Sequence, residues 1–307
     1  MTDRFNRRHM LLGGLAMGAG LAALPAHGQS AVRSITTSLG TYDIPADPQR
    51  VVVIDTRLDL EPAVALDLPI VGYSYFQQIE PWVPYAGAQT FIGTPPSREA
   101  VLALNPDLIV CTDIPGSDMW PIDKLADVAP VLPVDFNLHW RDNLARMGDW
   151  LGRRDIADAF IAQYQTEIDA LKARHAAVLG RKVAAVWSSP ESAEINLLLG
   201  TNSPQVTAIG QVLDDLGGIT VSAEGLGEYG NISYERMGEV LGDVEVIVVD
   251  HFDQSELDVL FASPVWQRLP AVVAGRVLPT SGAYYGGGYT ARHLIGEWDK
   301  AYSLLGV

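Results

Sequence analysis

The sequence predicts an α/β protein of two lobes, each built on a mostly parallel central sheet, joined by a single long α-helix. Three observations point there. One phrase occurs twice: Ser97-Arg98-Glu99 is followed, ten residues after the serine, by Asp107-Leu108-Ile109-Val110, and Ser233-Tyr234-Glu235 is followed at the same spacing by Asp243 and the apolar run 244–249. Two helix-to-strand units 136 residues apart (233 − 97) suggest two similar lobes. Short apolar runs alternate with helical or loop segments over residues 50–136 and again over 183–280, the pattern of parallel strands with helices on their faces. Between them, Ile156, Phe160, Tyr164, Ile168 and Leu171 recur at spacings of three and four within 155–178, a long helix.

Residues 1–28 read as a signal peptide. Arg4, Arg7 and Arg8 precede a weakly apolar run, and Ala26-His27-Gly28 supplies small residues for cleavage. Asn6-Arg7-Arg8-His9-Met10-Leu11-Leu12 resembles a twin-arginine signal, with Asn6 where Ser or Thr is commoner; an ordinary secretory signal is the alternative. The run is shorter than the roughly 20 residues of a membrane span and is broken by Gly13, Gly14, Gly18 and Gly20. No cysteine stands directly after it, so the expectation is a soluble periplasmic protein without a lipid anchor.

The N-terminal lobe is expected over 29–152, with strands at 51–54, 70–72, 90–93, 108–111 and 131–134. A helix over 58–66 carries Glu61 and Pro62 in its first turn, where proline is tolerated. Ser97 and Ser233 are expected N-caps, each with a glutamate in the first turn, where the helix dipole favours negative charge. The connecting segment spans 153–180: Gly152 closes the preceding helix and Gly180 is the expected C-cap of the long one. Its 24 helical residues span roughly 36 Å at about 1.5 Å per residue, a stiff link that allows little bending. The C-terminal lobe, 181–307, is expected to hold strands at 183–187, 195–199, 244–249 and 276–278, a helix ending at Leu216-Gly217-Gly218 and a last helix over 291–305.

With 307 residues, 48% hydrophobic and 19% charged, the chain can bury ordinary cores. Its net charge of −16 argues against nucleic acid, whose phosphates need a basic surface. Residues 1–28 carry a net +2, so their removal leaves about −18. Cys111, the one cysteine, sits in an apolar run and is expected to be a buried, inert thiol.

Ligands of open α/β sheets bind outside the carboxyl ends of the strands, and here those ends are rich in aromatics. The candidate ligand-binding residues are Tyr75, Trp82, Tyr85, Trp120, Tyr229, Tyr284 and Tyr285, with Tyr73, Phe76, Phe136, Trp140 and Trp187 in the same stretches. Such rings give large contact area at small entropic cost. Arg57, just after the first strand, is the candidate cation. Catalytic signals are weak. His9 and His27 belong to the signal, and His139, His175, His251 and His293 show no metal-ligand spacing. Gly286-Gly287-Gly288 does not open a phosphate loop, and Ser188 and Ser189 lack a nucleophile-elbow context. The reading is a binding protein with no catalytic residue, no protein metal site and no cofactor.

Ser263-Pro264-Val265-Trp266-Gln267-Arg268-Leu269-Pro270-Ala271-Val272 with Ala274-Gly275-Arg276-Val277 is very close to the C-terminal signature of one family. Glu99 with Asn105-Pro106-Asp107-Leu108-Ile109-Val110, and Leu199-Gly200-Thr201-Asn202-Ser203, match it too. Over roughly residues 45–305 the chain resembles the periplasmic substrate-binding proteins of the iron-siderophore and vitamin B12 class (class III periplasmic binding proteins), served by ABC importers. The stretch 243–258, with Asp250-His251, is similar to the branch that binds ferric hydroxamates. The resemblance implies a monomer that captures a ferric siderophore, whose own oxygens fill iron's coordination sphere, and delivers it to the permease subunit. It implies that Glu99 and Glu235 dock onto permease arginines, and that Tyr229, Tyr284 and Tyr285 stand where the branch has cleft aromatics. Thr94 stands where the branch carries a ligand-binding arginine, and no cleft tyrosine is evident near Ile114-Pro115. Cobalamin or haem on the same fold is the first rival reading, and an exported enzyme the second.

Overall fold

A computed structural model describes residues 31–75, 79–87, 90–189, 191–200, 206–227 and 230–306. Residues 1–28, expected to be a signal peptide, and Tyr229 lie outside the described residues. Residues Ala31–Val307 form one compact unit.

The unit opens with an antiparallel hairpin, β1 (Val32–Thr37) and β2 (Gly40–Pro45), turned at Gly40 with φ +113°. Periodicity did not signal it: each strand fully buries one apolar side chain, Ile35 and Ile44, and the rest is exposed or half-buried. The first lobe follows. β3 (Val51–Val53), β4 (Ile70–Tyr73), β5 (Leu108–Thr112) and β6 (Val131–Val134) form a wholly parallel sheet in the order β4-β3-β5-β6. Pro133 is tolerated because β6 is an edge strand. Helices α1 (Leu60–Ala65), α2 (Arg98–Ala103), α3 (Ile122–Leu125) and α4 (Trp140–Leu151) connect and flank the strands. The strand expected at 90–93 is reduced to a single bridge, Tyr73 to Phe91.

α5 (Arg154–Arg174) is the long connection, roughly 31 Å at about 1.5 Å per residue. Gly152 closes α4 in the left-handed conformation as expected, at φ +66°. α5 ends before Gly180, at His175, which is buried with Nε2 2.6 Å from Asp299 Oδ1. That tertiary tie stops the helix without a glycine.

The second lobe holds β7 (Val183–Ser189), β8 (Glu194–Leu197), α6 (Ala208–Leu216), β9 (Asn231–Ser233), α7 (Met237–Val240), β10 (Val246–Asp250), α8 (Gln254–Ala262), α9 (Pro270–Val273), β11 (Val277–Thr280) and α10 (Gly288–Ser303). Its sheet, β11-β10-β7-β8-β9, is mixed: β11, β10 and β7 run parallel, while β8 and β9 join antiparallel. The link between β7 and β8 is too short for the crossover of a dozen or more residues that a parallel pair needs. Ser97 caps α2, accepting from the Ala100 N–H at 3.1 Å. Ser233 makes no such side-chain bond; it ends β9 and is followed by a 3₁₀ turn.

Side-chain alternation sorts each sheet into two faces. Val52, Ile54, Ile109, Cys111 and Val131 pack outward under α3, and Ala184, Val186, Ile247 and Val249 form the outer core of the second lobe. The other faces share one continuous core: Val51, Val53, Leu108 and Val110 join Val183, Ala185, Val246 and Val248 through residues of α1, α4, α5, α6 and α10. Each fully buried aliphatic chain is worth about 1.5–3 kcal/mol, so the lobes are welded at this face. Burial pushes the Cys111 thiol up, as an inert buried thiol requires.

Glu61 seals the weld. It is buried in α1, and its Oε2 accepts the Tyr289 and Thr290 N–H groups at 2.8 and 2.9 Å, capping α10 of the other lobe. Thr290 Oγ1 donates to its Oε1 at 2.5 Å. Gly286-Gly287-Gly288 exists for this contact. A Cβ at Gly287 would stand 2.9 Å from Glu61 Cβ, and one at Gly288 would stand 2.4 Å from Phe160 and 2.9 Å from Trp140.

Burial pushes the Glu61 carboxyl from 4.5 up to about 7. Between those values the folded chain holds a proton that the unfolded chain has released, so stability falls as pH rises through the window. The Tm should therefore drop between pH 5 and pH 7.5. Glu61→Gln should flatten the drop, leaving a part due to Asp250, also pushed up to about 7 by burial. Thermal scans at both pH values check this; equal drops in the two proteins would show that Glu61 does not carry the proton.

Candidate functional site

The parallel strands of both lobes end at one cleft of about 570 Å³. β3 delivers Thr56 and Arg57; β10 delivers Asp250, His251 and Phe252; the loop after β11 delivers Ser281, Gly282, Tyr284 and Tyr285; and Ile79, Glu80 and Pro81 form a further wall.

Asp55, two residues after β3, organises the first-lobe side. Fully buried, its Oδ1 accepts the Arg57 and Leu58 N–H groups at 2.7 and 3.1 Å. Its Oδ2 accepts Arg57 Nη2 at 3.0 Å and Trp120 Nε1 at 3.1 Å. Behind it, Asp59 accepts the Asp55 N–H at 2.9 Å and Thr112 Oγ1 at 2.8 Å. Burial, then the charge of Asp55, holds the Asp59 carboxyl well above the usual range. Burial works against the charge of Arg57, and Asp55 outweighs it, so the guanidinium stays firmly protonated. The guanidinium lies between two rings, 4.4 Å from Tyr75 of the first lobe and 4.6 Å from Tyr285 of the second, a cation–π sandwich across the cleft.

Tyr75 reaches Arg57 from a left-handed backbone, φ +75°, uncommon for a non-glycine residue. The Thr94 hydroxyl donates to its carbonyl oxygen and so supports that backbone. The loop of Tyr284 and Tyr285 is fixed from beneath. The carbonyls of Tyr284 and Ala283 accept the first N–H groups of α6, from Ala208 at 2.9 Å and Ile209 at 3.0 Å. The Ala283 N–H donates to Asp250 Oδ1 at 3.2 Å.

The rings form one chain across the cleft. Tyr75 stacks on Trp120 (5.6 Å between centroids, 8° between planes), Trp120 meets Phe136 at 6.2 Å, and Phe136 meets Tyr285 at 5.6 Å. Tyr285 meets Tyr284 at 4.5 Å; Tyr284 meets Trp187 at 5.9 Å, and Trp187 meets Phe252 at 5.7 Å. The structure thus brings together Arg57, Tyr75, Trp120, Tyr284 and Tyr285; of these Arg57, Tyr284 and Tyr285 line the cavity, and Tyr75 and Trp120 stand behind them in the ring chain. Trp82 and Tyr85 do not line the cavity. Trp82 stacks on His293 (3.8 Å, 2°) and donates to Thr290 Oγ1 at 2.9 Å, pinning its loop to α10. The Tyr85 hydroxyl donates to the Ile70 carbonyl at 3.2 Å, and its ring packs on the shared core. Trp140 is buried edge-on to Tyr164 at 4.8 Å, and Tyr73 is core. Phe252 and Glu80 were missed from the sequence. Phe252 follows a strand end, the same signal that marks the other rings; no local signal marks Glu80.

Glu99 and Glu235 lie away from the cleft lining, both exposed, without an ion pair among the described residues. Among the described residues no three His, Cys, Asp or Glu side chains are placed to hold a metal ion, and no helix is long and apolar enough to cross a membrane.

The chain is 26% identical over 271 residues to the iron(3+)-hydroxamate-binding protein FhuD of Escherichia coli (strain K12), covering 83% of this chain and 87% of that one. It is 27% identical over 292 residues to the ferric enterobactin-binding periplasmic protein FepB of Escherichia coli O6:H1, covering 87% and 88%. Its fold is shared with a periplasmic solute binding protein from Mycobacterium smegmatis, at TM-score 0.72 and 17% identity, over 89% of this chain and 98% of that one. The profile of periplasmic binding proteins matches residues 78–282, two-thirds of the sequence. The chain therefore belongs to the periplasmic binding protein family, and it is a substrate-binding protein, not an enzyme.

Proposed function

We propose that this protein captures a ferric siderophore of the hydroxamate type in the cleft and delivers it to the permease of an ABC importer, docking through Glu99 and Glu235. In this reading residues 1–28 are removed on export to the periplasm, and segment 153–180 divides the two lobes. Relatives named for hydroxamate and for enterobactin match to the same degree, so the chemistry of the cleft must discriminate.

The observation that carries the hydroxamate reading is the charge balance. Among the described residues one arginine lines the cavity, paired with Asp55, and the carboxyl and imidazole groups that line it with Arg57 are Glu80, Asp250 and His251. A ferric tris-catecholate carries three negative charges and needs unpaired cations to replace its water. A ferric tris-hydroxamate has an uncharged iron centre, for which aromatic walls and a few hydrogen bonds suffice. In this reading iron's ligands come from the chelator.

Titration of tryptophan fluorescence tests this, because Trp120 and Trp187 belong to the ring chain. A neutral ferric tris-hydroxamate should quench and saturate at far lower concentration than a ferric tris-catecholate. Tyr284→Ala and Tyr285→Ala should each weaken binding by about 1–3 kcal/mol. Tighter binding of the catecholate would overturn the hydroxamate reading and leave that of an iron-chelate carrier.

A further inference from the structure

Glu80 is the charged group of the cleft that nothing yet accounts for. It lines the cavity half-buried, and among the described residues its side chain has no hydrogen-bond or ion-pair partner. Burial raises its carboxyl, and the field of Arg57 lowers it. Arg57 is already held by both oxygens of Asp55 and by the two tyrosine rings, so its geometry is committed elsewhere. The acid is also well placed. Its own carbonyl accepts the Val83 N–H at 3.0 Å, and Trp82, two residues on, is locked on His293 and Thr290 of α10. Gly282 lies against both: a Cβ there would stand 3.0 Å from the Trp82 ring and 3.3 Å from Glu80 Oε1. Across the same cavity stand the rings of Phe252 and Tyr284. A half-buried carboxylate in a cavity walled by aromatic rings, without a hydrogen-bond or ion-pair partner among the described residues, is the complement of an organic cation.

We propose that the cleft selects an iron chelate bearing a positively charged amine, and that Glu80 is the specificity-determining residue that pairs with it. The proposal deepens the hydroxamate reading and rests on it. The uncharged ferric centre lies on the ring chain, and the protonated amine of the same ligand meets Glu80. Asp55, by neutralising Arg57, keeps the cleft from repelling that cation.

The test is a charge series on one iron centre: a linear ferric tris-hydroxamate with a free terminal amine (+1), its N-acetylated form (0) and its N-succinylated form (−1). Fluorescence titration at low salt should rank affinity in that order, with the cation bound about three- to tenfold more tightly than the neutral form. Glu80→Gln should erase the preference for the cation, so that the +1 and neutral complexes bind alike, and added salt should shrink the preference in the wild type. Equal affinity across the series, or an unchanged preference in Glu80→Gln, overturns this inference and leaves the hydroxamate reading standing. Failure of all three to bind, with a ferric catecholate binding well, overturns both.

Discussion

Replacing Glu99 and Glu235 together by lysine should abolish uptake of the iron chelate by cells, while affinity of the purified protein and its Tm stay nearly unchanged. Both glutamates are exposed, neither lines the cleft, and neither has an ion-pair partner among the described residues, so their loss removes no internal contact. A first-turn glutamate interacts with its helix dipole for about 0.3–1 kcal/mol, which bounds the stability change. The dipole accounts well for Glu99, in the first turn of the capped helix α2. It accounts poorly for Glu235, which stands in a 3₁₀ turn of three residues. An exposed acidic residue two positions after a serine on each lobe instead suits orientation on a two-fold partner, where opposed charges steer encounter and like charges repel. Radiolabelled iron uptake, read beside a titration and a melt of the same variant, decides the matter. Wild-type uptake would reduce both residues to helix-end charges, and a lost affinity would place them in the binding site.

Gly288→Val should cost about 3 kcal/mol or more of stability, at the upper end of overpacking penalties. The α10 terminus sits flush on the first lobe: a Cβ at this buried position would come within 2.4 Å of Phe160 and 2.9 Å of Trp140, both held by neighbouring rings. Relief requires α10 to lift away, which would break the bonds from Tyr289 and Thr290 to Glu61. The Tm should fall by roughly 5–10 °C. Affinity for the chelate should fall as well, because Tyr284 and Tyr285 immediately precede this terminus. Phe160→Ala in the same chain should restore part of the Tm by opening the space. An unchanged Tm in Gly288→Val would refute the tight seam between the lobes.

Much of the architecture was legible because burial is written locally. The apolar runs at 51–54, 108–111 and 131–134 became β3, β5 and β6, and Gly217 closed α6 in the left-handed conformation. Ser97 capped its helix because the serine and the N–H it accepts lie three residues apart. Where the local signal was thin, the reading failed. The hairpin of β1 and β2 buries one side chain per strand, the run at 90–93 spends its apolar residues on a bridge and a core contact, and strand direction at β8 depends on a turn that periodicity does not describe.

By itself the sequence determined two sheets, a long helix between them and a supply of aromatic rings at strand ends, since each follows from residues a few positions apart. The tertiary structure alone decided which rings face one another. Arg57 meets Tyr285 and Glu61 meets Thr290 across more than two hundred residues, and Trp82, also in a segment that follows a strand, is claimed by His293 instead. Spacing along the chain records how a residue sits on its own strand or helix. It holds no record of the residue that arrives from the other lobe, because that meeting depends on how both lobes pack against the shared core.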